Sequence, residues 1–172
     1  CKSDPENVLM IATAANMQFA MEEIIVTFEQ DSGINCEAVV SSSGKLTAQI
    51  KQGAPYDVFV SADMKYPKDL FRNGLTIKSP IVYAYGKLVK CTLNKTISPS
   101  FLILESESVK HIAIANPKTA PYGRATIEFL SKLNILKQVE HKFVFGESIA
   151  QTNQFITTQA AEIGFTSKSV LL

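Results

Sequence analysis

No apolar run in this chain approaches the ~20 residues needed to cross a bilayer, so no transmembrane helix is expected. No like-charge run stands out either. Seventeen Lys and Arg balance sixteen Asp and Glu for a formal net charge of +1. That balance disfavours nucleic-acid binding, which draws on a basic stripe for its phosphate contacts. His111 and His141 are the only histidines, and neither has a Cys, Asp or Glu at metal-ligand spacing. The three cysteines, Cys1, Cys36 and Cys91, fit no zinc pattern. Cys36 and Cys91 lie in strand-like apolar runs, where a thiol acts as a small core hydrophobe, and no disulfide is expected between them. No serine sits in a nucleophile elbow, no Gly-rich phosphate loop occurs, and no histidine lies beside a candidate nucleophile. These absences argue against the competing class, an enzyme acting on a phosphorylated or acyl substrate.

What remains is a 172-residue chain, 46% hydrophobic and 19% charged, enough for one large domain or two small lobes. Four of its segments share one form: a hydrophobic strand, then small neutral hydrogen-bonding residues, then a helix. They are Val8–Asn16 (VLMIATAAN), Cys36–Gly44 (CEAVVSSSG), His111–Gly123 (HIAIANPKTAPYG) and Lys142–Ser148 (KFVFGES). A helix start carries free backbone N–H groups and the positive end of the helix dipole. Several such starts directed at one place make an anion site that needs no lysine or arginine.

The periodicity predicts a strand at Val8–Ala12 and a helix capped by Asn16. Met17, Ala20, Met21, Ile24, Ile25 and Phe28 form the apolar face of that helix, and Gly33 closes it. Glu37–Val40 reads as the next strand, and Ser43 as the cap of a short helix ending at Gly53. Asp57–Ser61 is a third strand and Pro67–Arg72 a short helix, with Asp57 and Asp63 read as turn-fixing residues. This β-α-β-α-β-α order implies a parallel sheet with helices on its faces. After an apolar stretch broken at Gly86-Lys87 the same logic resumes. Strands are expected at His111–Ala115, within Val139–Phe145 and at Glu162–Thr166, and helices at Gly123–Leu133 and Ser148–Thr158, without a sequence repeat.

Val8–Glu22, Ser41–Asp63, Asn116–Gly123 and Gly146–Phe165 resemble the periplasmic molybdate-binding proteins of ABC importers. SSSGKLTAQIKQGAPYDVFVSAD is the most specific block and GESIAQTNQFITTQAAEIGF the second, with PYG between them. The resemblance implies an α/β, two-lobed periplasmic-binding-protein type II fold, each lobe a mostly parallel sheet flanked by helices. Lobe 1 is placed at 1–83 and lobe 2 at 84–172. A C-terminal segment returning to lobe 1, usual in the family, is expected to be missing from this chain. The implied function is capture of molybdate, and of tungstate too, by a monomer that delivers it to an ABC permease of the inner membrane. The alternative in the same class is another oxyanion such as sulfate. No cofactor, no catalytic activity and no metal beyond the molybdenum or tungsten of the bound anion are expected.

Carried over by position, the oxyanion-binding residues are Ala15, Asn16, Ser43, Tyr122, Ile149 and Ser167. Tyr122 and Ile149 would act through backbone N–H groups. Some members have a tyrosine at the position of Ser167. Its hydroxyl contact falls here either to Ser167 or to the Tyr122 hydroxyl. The location implied is periplasmic or cell-surface. Cys1, followed by the polar stretch KSDPEN, reads as a lipid anchor, the alternative being a terminus that happens to fall on a cysteine.

The residue types suit the ligand. Molybdate is a dianion with four acceptor oxygens and no proton near neutral pH, so its site should offer donors only: backbone N–H, Ser, Asn and Tyr groups. Each charge-assisted hydrogen bond contributes roughly 1.5–3 kcal/mol net, so about seven can support a tight complex. The one acid beside the proposed donors is Glu147, expected to face away or to cap its own helix.

Overall fold

The structure is a computed structural model that describes residues 8–171, so Cys1 and its reading as a lipid anchor lie outside the described residues. The chain divides into two compact units, Cys1–Tyr85 and Gly86–Leu172.

In the first unit, β1 (Val8–Ala14) leads through a 3-10 turn at Ala15–Met17 into α1 (Gln18–Ser32). β2 (Asn35–Ser41), α2 (Ser43–Lys51), β3 (Val58–Val60) and α3 (Lys65–Arg72) follow. The three strands form a parallel sheet in the order β2-β1-β3, as a βαβαβ sequence requires. β1 is central, which explains its apolar run and the burial of Ile11, Ala12 and Ala14. Asp57 fastens β3 to it. Its carboxylate accepts from the Met10 N–H at 2.8 Å, and its own N–H donates to the Met10 carbonyl at 2.9 Å. Gly33 closes α1 at φ 71°, its N–H reaching the Glu29 carbonyl at 2.9 Å.

Three expectations are corrected in this unit. Asn16 does not cap α1. It sits inside the 3-10 turn, and α1 begins two residues later behind Met17 with no side-chain cap. Ser43 is the first residue of α2 rather than its cap, and Ser42 holds the extended cap position at φ −75°, ψ 147°. The apolar stripe of α1 is only partly covered: Met21 is buried, but Ile24 and Phe28 are 53% and 40% exposed. Periodicity marks an apolar face without supplying the surface that covers it.

In the second unit, β4 (Leu88–Cys91) precedes a 3-10 turn at Phe101–Glu105 and β5 (Ile112–Ala115). α4 (Pro121–Lys132), α5 (Leu136–Val139), β6 (Phe143–Gly146), α6 (Ile149–Thr157) and β7 (Ile163–Ser167) complete it. The sheet order is β4-β7-β5-β6, with β5 parallel to β6 and β7, and β4 antiparallel to β7. Leu104, Val109, Ile112, Ile114, Leu130, Val139, Ile163 and Phe165 form its core. α4 starts at Pro121, two residues ahead of the expected glycine, because proline has no N–H to lose at the first helical position. The strand expected within Val139–Phe145 begins only at Phe143, since Val139 ends α5. Cys36 and Cys91 carry free thiols, and burial pushes the Cys91 thiol up to about 11.

Glu162 anchors the start of β7. Its Oε2 accepts from the amides of Lys110 at 3.1 Å and His111 at 2.7 Å, and its carbonyl accepts from Thr92 Oγ1 at 2.6 Å. Burial pushes the carboxyl up, but the His111 and Lys110 amides outweigh it and hold it below its ordinary value. Glu162 therefore stabilises the fold above the unfolded carboxylate range, and that contribution is lost as pH falls through its lowered folded value. Urea melts between pH 6 and pH 3 should show a steeper loss in the native chain than in Glu162→Gln.

Candidate functional site

Both sheets place their helix starts at the carboxyl ends of neighbouring parallel strands. In the first unit, β1 and β2 run in register to their last residues, with Ala14 opposite Ser41, and β3 joins at Thr13–Val60. Ala15–Asn16, Ser42–Ser43 and Ser61–Ala62 therefore leave the sheet side by side. All are buried except Ala62, which is half-buried. The Ala62 N–H donates to Ser43 Oγ at 3.0 Å, tying the start of α2 to the end of β3. Ser42, 4% exposed, has a buried Oγ with no hydrogen-bond partner among the described residues, although it stands where a cap would normally accept from the first helical amides. The Thr13 hydroxyl, on the central strand just upstream, is buried in the same condition.

In the second unit, α4 starts after β5 and α6 after β6, with Ala115 opposite Gly146 and the Asn116 N–H donating to the Gly146 carbonyl at 2.7 Å. Both starts press on strand ends. A Cβ on Gly123 would collide with the Ala115 carbonyl and lie 2.8 Å from Pro117 N. One on Gly146 would lie 2.7 Å from Thr152 N. These glycines serve close approach rather than an unusual backbone angle. Pro121 brings no N–H, so Tyr122 supplies the first free amide of α4, as Ile149 does for α6.

Ser148 caps α6, accepting from the Gln151 N–H at 3.4 Å, while Gln151 Oε1 accepts from the Glu147 N–H at 2.7 Å. The cap of α6 thus belongs to Ser148, and Glu147 is exposed. At the end of β7, Ser167 Oγ donates to Tyr122 Oη at 2.8 Å and lies 2.7 Å from Ser169 Oγ. Tyr122 is 7% exposed and Ser167 1%. Burial pushes the Tyr122 phenol up, and the hydrogen bond from Ser167 partly offsets this.

The structure thus gathers Ala15, Asn16 and Ser43 at one sheet edge of the first unit. At one edge of the second it joins Tyr122 to Ser167, with Ile149 opening the adjacent helix. Sequence reasoning missed Ser42, Ser61 and Gly86. Ser42 was visible as the middle of a serine run. Ser61 and Gly86 carried no local signal for their distant neighbours: the Ser61 carbonyl accepts from the Tyr83 hydroxyl at 3.2 Å, and Gly86 lies against the Tyr122 hydroxyl. Each cluster offers amides and hydroxyls beside helix N-termini, a donor set for an anion with unprotonated oxygens. No group of three or more His, Cys, Asp or Glu that could hold a metal ion occurs among the described residues.

A family model, described as bacterial extracellular solute-binding protein, matches residues 9–172 of the chain. The chain belongs to the bacterial extracellular solute-binding protein family. It is 39% identical over 163 residues to the molybdate-binding protein ModA of Azotobacter vinelandii, covering 94% of this chain and 65% of the relative. With ModA of Rhodobacter capsulatus it shares 36% over 166 residues, covering 95% of this chain and 66% of the relative. Among solved structures, the periplasmic molybdate-binding protein of Azotobacter vinelandii superposes with a TM-score of 0.87 at 33% identity, covering 92% of this chain and 71% of that one. The resemblance read from the sequence blocks is borne out, as is the α/β fold. The chain spans about two thirds of the length of the relatives in sequence.

Proposed function

We propose that this protein binds molybdate, and tungstate as a near-isosteric substitute, for delivery to an ABC permease on the outer side of the bacterial inner membrane. The observation that supports this reading is the pair of donor clusters: helix starts and buried hydroxyls at the carboxyl ends of both sheets. Asn16, Ser43, Tyr122 and Ile149 are the proposed contacts, with Ala15 shaping the first turn. A donors-only set favours an anion that holds no proton, whereas phosphate keeps one near neutral pH and would need an acceptor. The role is binding rather than catalysis.

Titration calorimetry with molybdate, tungstate, sulfate and phosphate tests the proposal. Tight binding of the first two and weak or no binding of the others is the expected result. Preference for sulfate would move the protein to the alternative oxyanion, and no heat with any of the four would remove the reading. Ser43→Ala should weaken molybdate by the cost of one charged hydrogen bond, roughly 1.5–3 kcal/mol. An unchanged affinity would take Ser43 out of the site.

A further inference from the structure

Three hydroxyls, those of Ser169, Ser167 and Tyr122, stand in a chain beside the start of α4, the last two on buried residues. Ser169 Oγ lies 2.7 Å from Ser167 Oγ, which donates to Tyr122 Oη at 2.8 Å. The tyrosine hydroxyl is the acceptor in that bond, so its own proton is not spent there. Its tip also lies close against Gly86, where an added Cβ would collide with Tyr122 Oη. Ser167 is almost wholly buried at 1% exposure, and its oxygen already faces two hydroxyl partners.

We propose that Ser167 is a positioning residue rather than an anion ligand: it holds the Tyr122 hydroxyl as a donor toward the anion at the start of α4. This deepens the oxyanion-binding reading above and rests on it. A hydroxyl that accepts from Ser167 presents its proton outward, which suits an anion with only acceptor oxygens. Gly86, having no side chain, leaves room for the phenol tip in this place. The dianion thereby gains a side-chain donor whose orientation is set by a residue that never touches it.

A double-mutant cycle on the full chain separates the roles. Tyr122→Phe should lower molybdate affinity about tenfold, the worth of one hydrogen bond. Ser167→Ala should lower it by less, Ser167→Thr should restore it, and Ser167→Ala added to Tyr122→Phe should cost nothing further. Equal losses from Ser167→Ala in both backgrounds would make Ser167 a direct ligand and overturn the proposal. A second readout needs no anion. Ser167 stabilises the Tyr122 phenolate, so Ser167→Ala should shift the most basic step of the tyrosinate absorbance titration to higher pH. An unmoved step would also overturn the proposal. Native protein that takes up neither molybdate nor tungstate would remove the functional reading instead, while the phenol titration would still judge the Ser167–Tyr122 link.

Discussion

Asn16→Asp is expected to lower molybdate affinity about a thousandfold while leaving the fold as stable as before or slightly more so. The two side chains have the same shape, so the buried turn after β1 need not rearrange. What changes is charge, and with it the two amide N–H donors are lost. Two unit charges 4 Å apart interact with about 4 kcal/mol at an effective dielectric of 20, and molybdate carries two. Even half of the resulting repulsion, about 4 kcal/mol, is close to a thousandfold in affinity. A carboxylate beside the first turn of α1 interacts favourably with the helix dipole, so stability and binding should move in opposite directions. Lowering the pH toward the ordinary carboxylate range protonates the new carboxyl, and affinity should recover there. Calorimetry paired with thermal melts checks both signs. Affinity within about threefold of the native protein, a difference of under 1 kcal/mol, would place Asn16 away from the anion.

Gly123→Ala should destabilise the chain by about 1–3 kcal/mol, as overpacking does, and should also weaken anion binding. The added methyl meets backbone, the Ala115 carbonyl and Pro117 N, rather than a side chain able to swing aside. Relief requires α4 to lift from the end of β5, carrying the Tyr122 amide and hydroxyl with it. For a chain of this size each kcal/mol lowers the melting temperature by roughly 2–4 °C. Gly33→Ala is the contrasting case. Its φ is +71° and a Cβ there meets nothing within 4 Å. The cost is conformational, about 1 kcal/mol, and molybdate affinity should be unchanged. A Gly123→Ala protein that melts and binds like the native one would show that the start of α4 has room to spare.

Much of this was legible in the chain itself. The strand-then-small-residue-then-helix form of the four segments foretold four of the helix starts now seen at strand ends. The spacing of β1, β2 and β3 around two helices required a parallel sheet, because each crossover must return its strand in the same direction. Gly33 announced a helix end, whereas Asp57, expected to fix a turn, instead ties β3 to the central strand through Met10. The errors were of another kind. Asn16 and Ser43 are both good capping residues, yet a 3-10 turn displaced one and a one-residue offset displaced the other. Capping preference is shared by adjacent polar residues, and only the hydrogen bonds made after folding choose between Ser42 and Ser43.

The sequence by itself determined the α/β class, the strands and the neutral, donor-rich character of the helix starts, since these depend on side-chain period and on groups within a few residues of one another. Tertiary structure alone decided that Ala62 leans on Ser43, that Gly123 abuts Ala115, and that Ser167 reaches the Tyr122 hydroxyl 45 residues away in the chain. Such contacts are between residues that share no local pattern. They arise when whole strands settle into register, and a linear order of residues carries no measure of that distance.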